Sequence, residues 1–201
     1  MTSQANERVH RSKRMHSGLL FFMFLLAASQ GALAEPRINE KREYYDIRGR
    51  SESELKSELN SKGVYDGRMN DAYTKWYVRW NYGYQSGPDG CSLKEVRTSA
   101  DINIKLPRWK NENDGPADVR EKWSRFIKAL EEHENGHLDF GVKTATEIDE
   151  ALLHMPAYPD CEQMGNAAND KANEILGKYL AEEKAYDAQT NHGVTQGAVF
   201  P

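Results

Sequence analysis

His133-Glu134-Asn135-Gly136-His137 sets two histidines four positions apart, with a glutamate directly after the first. On a helix, positions four apart share a face with Cβ atoms ~5–6 Å apart, so both imidazoles can reach one ion at ~2.0–2.1 Å. Glu134 stands three before His137, beside such an ion, where its carboxylate can take the proton of a bound water. Zinc held this way lowers the pKa of its water toward about 7 and polarises a carbonyl oxygen, which is a route to peptide hydrolysis. The competing reading is a solvated helix face, since Glu131, Glu132 and Asp139 surround the pair. Both histidines nevertheless fall on the stripe that holds Phe126, Leu130 and Phe140, which turns them toward the interior. Gly136 adds to this, because glycine inside a helix costs about 1 kcal/mol against alanine. The expectation is close approach of substrate or a strand at that point; the alternative is a tolerated weak spot.

A catalytic zinc site takes three protein ligands and leaves a fourth position for water. The metzincin continuation, glycine three and histidine six residues after His137, is absent, because Phe140 and Lys143 stand there. The gluzincin glutamate on the following helix is matched in part by Asn173-Glu174, with Lys178 where an aspartate would follow. Beyond residue 34 the other histidines are His154 and His192. His154, just before Pro156, suits a helix-end cation. His192, between Asn191 and Gly193 in a segment that can bend back, is the expected third ligand, with Glu174 or Asp187 as alternatives. Asp187 can instead hold a ligand histidine from behind, and Tyr186 can donate to a developing oxyanion.

The elements that position these residues are legible from periodicity. "EYYDIRGRS" reads as a short strand, and "SESELKSELNSKG" as a helix capped by Ser51, with Glu54 at capping-box spacing and Gly63 as terminator. From Ala72 to Tyr84 aromatic and polar residues alternate, as in a half-buried strand. After the turn "SGPDG", alternation resumes from Val96 to Leu106, which predicts an antiparallel partner. Helical spacing then runs from Val119 through His133 and His137 to Leu152, stopped by Pro156, and again from about Glu162 to Tyr186. The tail "DAQTNHGVTQGAVFP" lacks helix formers and is expected to wrap over the domain. Strands first and helices later predict an α+β class, an antiparallel sheet packed against the long histidine-bearing helix and a C-terminal helix.

Residues 1–34 carry a basic start and the apolar run "LLFFMFLLAA" before "GALA", the order of a signal peptide cleaved after Ala34. Ten apolar residues fall short of the ~20 needed to cross a bilayer, so no lasting membrane anchor is expected, and the destination is the periplasm or the exterior. The remaining 167 residues, 35–201, suit one domain. Removal of four Lys or Arg and one Glu takes the net charge from −4 to −7, which leaves no electrostatic footprint for nucleic acid. Cys91 and Cys161 are the only cysteines, and in an oxidising compartment they are expected to form a disulfide closing a 70-residue loop.

The ordered set "AYTKWYVRWNY", "CSLKEVRTSADINIKLPRW", "VREKWSRFIKALEEHENGH", Cys161, "YDAQTNHG" and "GAVFP" resembles a bacterial family of exported proteins of unknown function, described as predicted secreted zinc-dependent proteases. The resemblance covers nearly all of 43–201 and implies a zincin-like fold and a zinc peptidase. The expected function is therefore an exported zinc-dependent peptidase acting on peptide or protein substrates, or more narrowly on cell-wall peptide bonds. The alternative is a non-catalytic envelope protein with a structural or vestigial metal site, whose aromatic strand binds a partner or a glycan. Trp76, Trp80, Tyr82 and Tyr84 are read first as core, since alternating aromatics usually are.

Overall fold

The structure is a computed structural model that describes residues 35–65 and 69–201; the expected signal peptide lies outside the described residues. Three strands form the main sheet: β1 (Arg37–Ile47), β4 (Tyr73–Gly87) and β5 (Gly90–Trp109), in the order β1-β5-β4. Between β1 and β4 come α1 (Glu52–Lys62) and a small antiparallel pair, β2 (Val64–Tyr65) with β3 (Met69–Asn70). Two long helices follow, α2 (Ala117–Leu153) and α3 (Cys161–Thr190). The class is α+β, with a mixed sheet.

β4 and β5 pair antiparallel through the tight turn between Gly87 and Gly90, as their alternation predicts. β1 departs from the expected antiparallel arrangement: it runs parallel to β5, Arg37 opposite Ser99 and Ile47 opposite Trp109. A parallel pair requires a crossover, which α1, the small β2–β3 pair and β4 supply. No local pattern announces that choice. Parallel and antiparallel partners present the same alternation to a reader of the sequence.

α1 begins as expected, with Ser51 Oγ accepting from the Glu54 backbone N–H. The Glu54 carboxylate reaches back one residue further than a capping box requires, accepting from Arg50 N–H at 2.6 Å. Ala100, Ile102, Ile104 and Leu106 of β5 point inward and are fully buried against α2. One end of the core closes over Trp123 and Phe126 of α2 with Phe200 from the chain end, so the tail does wrap over the domain. The other end packs Ile148 and Leu152 of α2 on Met164, Ala168 and Ala172 of α3. There the Cys91–Cys161 disulfide ties β5 to the start of α3.

The aromatic face of β4 is covered by helices. Trp76 lies over Gly141 of α2, where a Cβ would come within 2.9 Å of its side chain. Trp76, Trp80 and Tyr82 each donate a hydrogen bond to α3, at Glu183, Asn169 and the Gly165 carbonyl. Tyr84 is the most exposed of the four and still touches α3 near Gly165. Among the described residues no helix is long and apolar enough to cross a membrane.

Candidate metal centre

α2 is about 55 Å long at ~1.5 Å per residue. Near its middle the amphipathic stripe carries polar side chains into the interior: His133 and Glu134 are 4% exposed and His137 8%. Buried polar groups need partners. Those of the two histidines determine which nitrogen is free. His133 Nδ1 lies 2.9 Å from Gln196 Oε1, and His137 Nδ1 lies 2.9 Å from Glu183 Oε1. Both acceptors are oxygens, so each Nδ1 keeps its proton and donates, and each Nε2 in the neutral ring presents a lone pair.

Those two Nε2 atoms face each other at 3.3 Å. Asp187 Oδ1 completes a triangle, 3.4 Å from His133 Nε2 and 3.2 Å from His137 Nε2, and this oxygen is buried with no hydrogen-bond partner. Three converging electron-rich atoms repel one another unless a proton on His137 or a cation at their centre lies between them. The spacing also fits. A tetrahedral ion bonded at ~2.0–2.1 Å separates its ligands by about 3.3–3.4 Å. His133, His137 and Asp187 form a grouping suited to a metal, and their donor set of two imidazoles and one carboxylate is one that zinc takes.

His192, the expected third ligand, stands one step outside. Its Nδ1 is 3.3 Å from Asp187 Oδ2, the carboxylate oxygen opposite the one in the triangle. Asp187, anticipated as an alternative ligand or as a support for a histidine, lies nearest the pair, and His192 braces the aspartate. The cause is the end of α3. The helix does not stop near Tyr186 but continues to Thr190, so Asp187 is helical and sits four residues after Glu183 on the same face. Asn191 and His192 then adopt left-handed backbone (φ 47° and 51°), followed by Gly193 at φ 82°. That turn folds the tail back onto α2, where Gly193 packs so closely that a Cβ would lie 3.0 Å from the His133 ring. Left-handed non-glycine residues are strained, and strain of this kind gathers at functional sites. Glu174 is remote: it pairs with Lys171 at the surface, thirteen residues before Asp187 and about 20 Å away along the helix.

Tyr186, expected as an oxyanion donor, packs against the first histidine. Its ring stacks on His133 at 5.2 Å and its hydroxyl donates to the His133 carbonyl at 3.2 Å while accepting from Gln196 Nε2. It positions the histidine. The same ring explains Gly136, since a Cβ there would sit 2.4 Å from the Tyr186 hydroxyl. The close neighbour is a helix side chain, in place of the substrate or strand expected.

Glu134 Oε2 accepts a 2.7 Å hydrogen bond from Thr74 at the start of β4. Burial raises the Glu134 pKa above the ordinary carboxylate value, against the opposing effects of Thr74 and His137. Burial and the neighbouring charge of His137 lower the His133 pKa, which keeps that ring neutral. For His137 burial also pushes downward, but the bond to Glu183 and the carboxylates of Asp187 and Glu134 outweigh it and the pKa is raised. His133, Glu134, His137, Asp187 and His192 line an open cavity of about 480 Å³. Tyr73 and Thr74 of β4, Lys56 and Asn60 of α1, and Val199 and Phe200 of the tail line the rest.

Three participants escaped the sequence reading. Glu183 also accepts from the Trp76 indole at 2.8 Å, so one carboxylate oxygen joins β4, α3 and His137. Its only trace in the sequence is the four-residue spacing to Asp187, which has meaning only because α3 extends to Thr190. Gln196 and Thr74 had no such signal, because neither residue type nor spacing marks them. The arrangement as a whole provides two imidazoles and a carboxylate for an ion, and beside them a buried glutamate of raised proton affinity opening on a cleft. No curated protein and no solved structure matches the chain. A family profile described as "Bacterial protein of unknown function (DUF922)" matches residues 42–193, and the chain belongs to that family.

Proposed function

We propose that this protein is an exported zinc-dependent peptidase with a zincin-like arrangement of sheet and helix. The observation that carries the reading is the convergence of His133 Nε2, His137 Nε2 and Asp187 Oδ1 within 3.2–3.4 Å, each histidine held by an acceptor on its far nitrogen. These three would hold the ion. Zinc, when bound, supplies a water of lowered pKa and an electrophile for the scissile carbonyl.

The remaining work falls to the chain itself. Glu134 takes the proton at its carboxylate and hands it to the leaving amine, a transfer helped by burial, which brings its pKa nearer the working range. Thr74 holds one of its oxygens, leaving the other for the reaction. Glu183 and Gln196 orient the imidazoles. β4 is a sheet edge whose first residues line the cleft, so an extended peptide can add to it through main-chain hydrogen bonds and run past Glu134. Peptide or protein chains, including cell-wall peptides, meet that requirement.

The test is zinc content and hydrolysis of a mixed peptide library by the processed protein and by Glu134→Ala. A peptidase variant keeps its metal and loses at least ~100-fold in rate. A purely structural ion leaves metal in both proteins and hydrolysis in neither.

A further inference from the structure

Away from the metal centre, a second cavity of about 250 Å³ opens where β1 begins. Asp149 of α2 lines it while only 3% exposed, and its carboxylate has no hydrogen-bond or ion-pair partner among the described residues. Thr98 of β5 lines it too, and its Oγ1 is buried without a partner. A carboxylate that faces solvent only through such a cavity gains from a counter-charge placed there. The two guanidinium groups at the rim do not supply one: Arg37 Nε turns to Asn39, and Arg97 turns to Glu95. The cavity calls for a compact cation with more than one N–H.

Glu35 lines the same cavity. Cleavage after Ala34, expected from the signal sequence, converts its backbone nitrogen into an α-ammonium carrying one positive charge and three N–H donors, like a lysine head group. The reach is short. Pro36 has a restricted φ, and Arg37 already pairs in register with Ser99, next to Thr98. Little conformational freedom separates the new terminus from the sheet.

We propose that removal of the leader creates an ion pair between the Glu35 α-ammonium and Asp149, with Thr98 Oγ1 as a second acceptor, locking β1 to α2. An unprocessed chain presents an amide at that place, with one N–H and no charge, so the lock forms only after export. This makes the processed protein more stable than its precursor, independently of any metal.

The experiment uses the full chain, exported and processed by the cell, with the first residue determined by intact mass and N-terminal sequencing. Thermal unfolding is compared for the processed protein, for Asp149→Asn, for one alanine inserted between Ala34 and Glu35, and for both changes together. Glu35 at the start, a Tm lowered by about 5–10 °C in each single variant, and no further fall in the double variant are expected. A different first residue, additive losses, or two unchanged melting temperatures overturn the proposal. Should Asp149→Asn fail to fold, the insertion decides by itself, since it alters no side chain of the fold, and an unchanged Tm then overturns it.

Discussion

Asp187 and His192 share a hydrogen-bonding contact but not a role. Oδ1 of the aspartate points between the two imidazoles, and Oδ2 points to His192, whose side chain is 43% exposed at the cleft. On the proposed reading Asp187 is a ligand and His192 its brace, and removing each has a different consequence. Asp187→Ala is expected to abolish stoichiometric zinc in the purified protein, whereas His192→Ala keeps the metal with affinity weakened about 10- to 100-fold. Competition with a chelator of known affinity measures both. The reverse ranking would return His192 to the coordination shell. The residue-level chemistry of His133, Glu134 and His137 was readable from five letters, because helical spacing alone brings them to one side. Asp187 and His192 were readable only as candidates, since five residues separate them and either can reach when the chain bends.

At the level of elements, the decisive contact is α2 against α3. Gly136 and Gly141 on α2 admit the rings of Tyr186 and Trp76, and these rings set how closely α3 and β4 approach the histidines. Gly136→Ala therefore sets two effects against each other. The helix gains about 1 kcal/mol in propensity, while a methyl group forced against the Tyr186 ring costs about 1–3 kcal/mol. A net loss is expected, at roughly 2–4 °C of Tm per kcal/mol for a domain of this size. In a Tyr186→Ala background the same change becomes neutral or stabilising. A raised Tm for Gly136→Ala alone would contradict the contact. A close neighbour does require this glycine, but it is a helix side chain from far along the chain in place of the substrate or strand expected, and no periodicity indicates it.

Across the whole molecule, the cysteine bridge and the candidate metal centre lie at opposite ends of α3. Cys161 begins that helix and Glu183 stands 22 residues later, about 33 Å along it. Closing a loop of 70 residues restricts the unfolded chain by about 4 kcal/mol on the chain-entropy model. The double change Cys91→Ser with Cys161→Ser should lower Tm by roughly 8–16 °C while leaving zinc stoichiometry at low temperature unchanged. Loss of zinc from the folded variant would instead show that the two ends are coupled. Phe200, buried against Trp123 and Phe126, closes the other end, so the tail that braces His133 through Gln196 is anchored beyond it.

What the amino-acid order determined by itself is whatever depends on near neighbours: the strands from their alternation, α2 from its stripe, the Ser51 cap, the β4–β5 hairpin, and the histidine pair with its glutamate. Tertiary structure decided what depends on distant partners. β1 joined β5 in parallel because a crossover carried the chain around, and Asp187 became the third member of the centre because α3 runs one turn further than its composition suggests. Glu183, Gln196 and Thr74 took their places for the same reason. A hydrogen bond between side chains 46 to 63 residues apart leaves no periodic trace in the sequence, and only packing establishes which acceptor meets which imidazole.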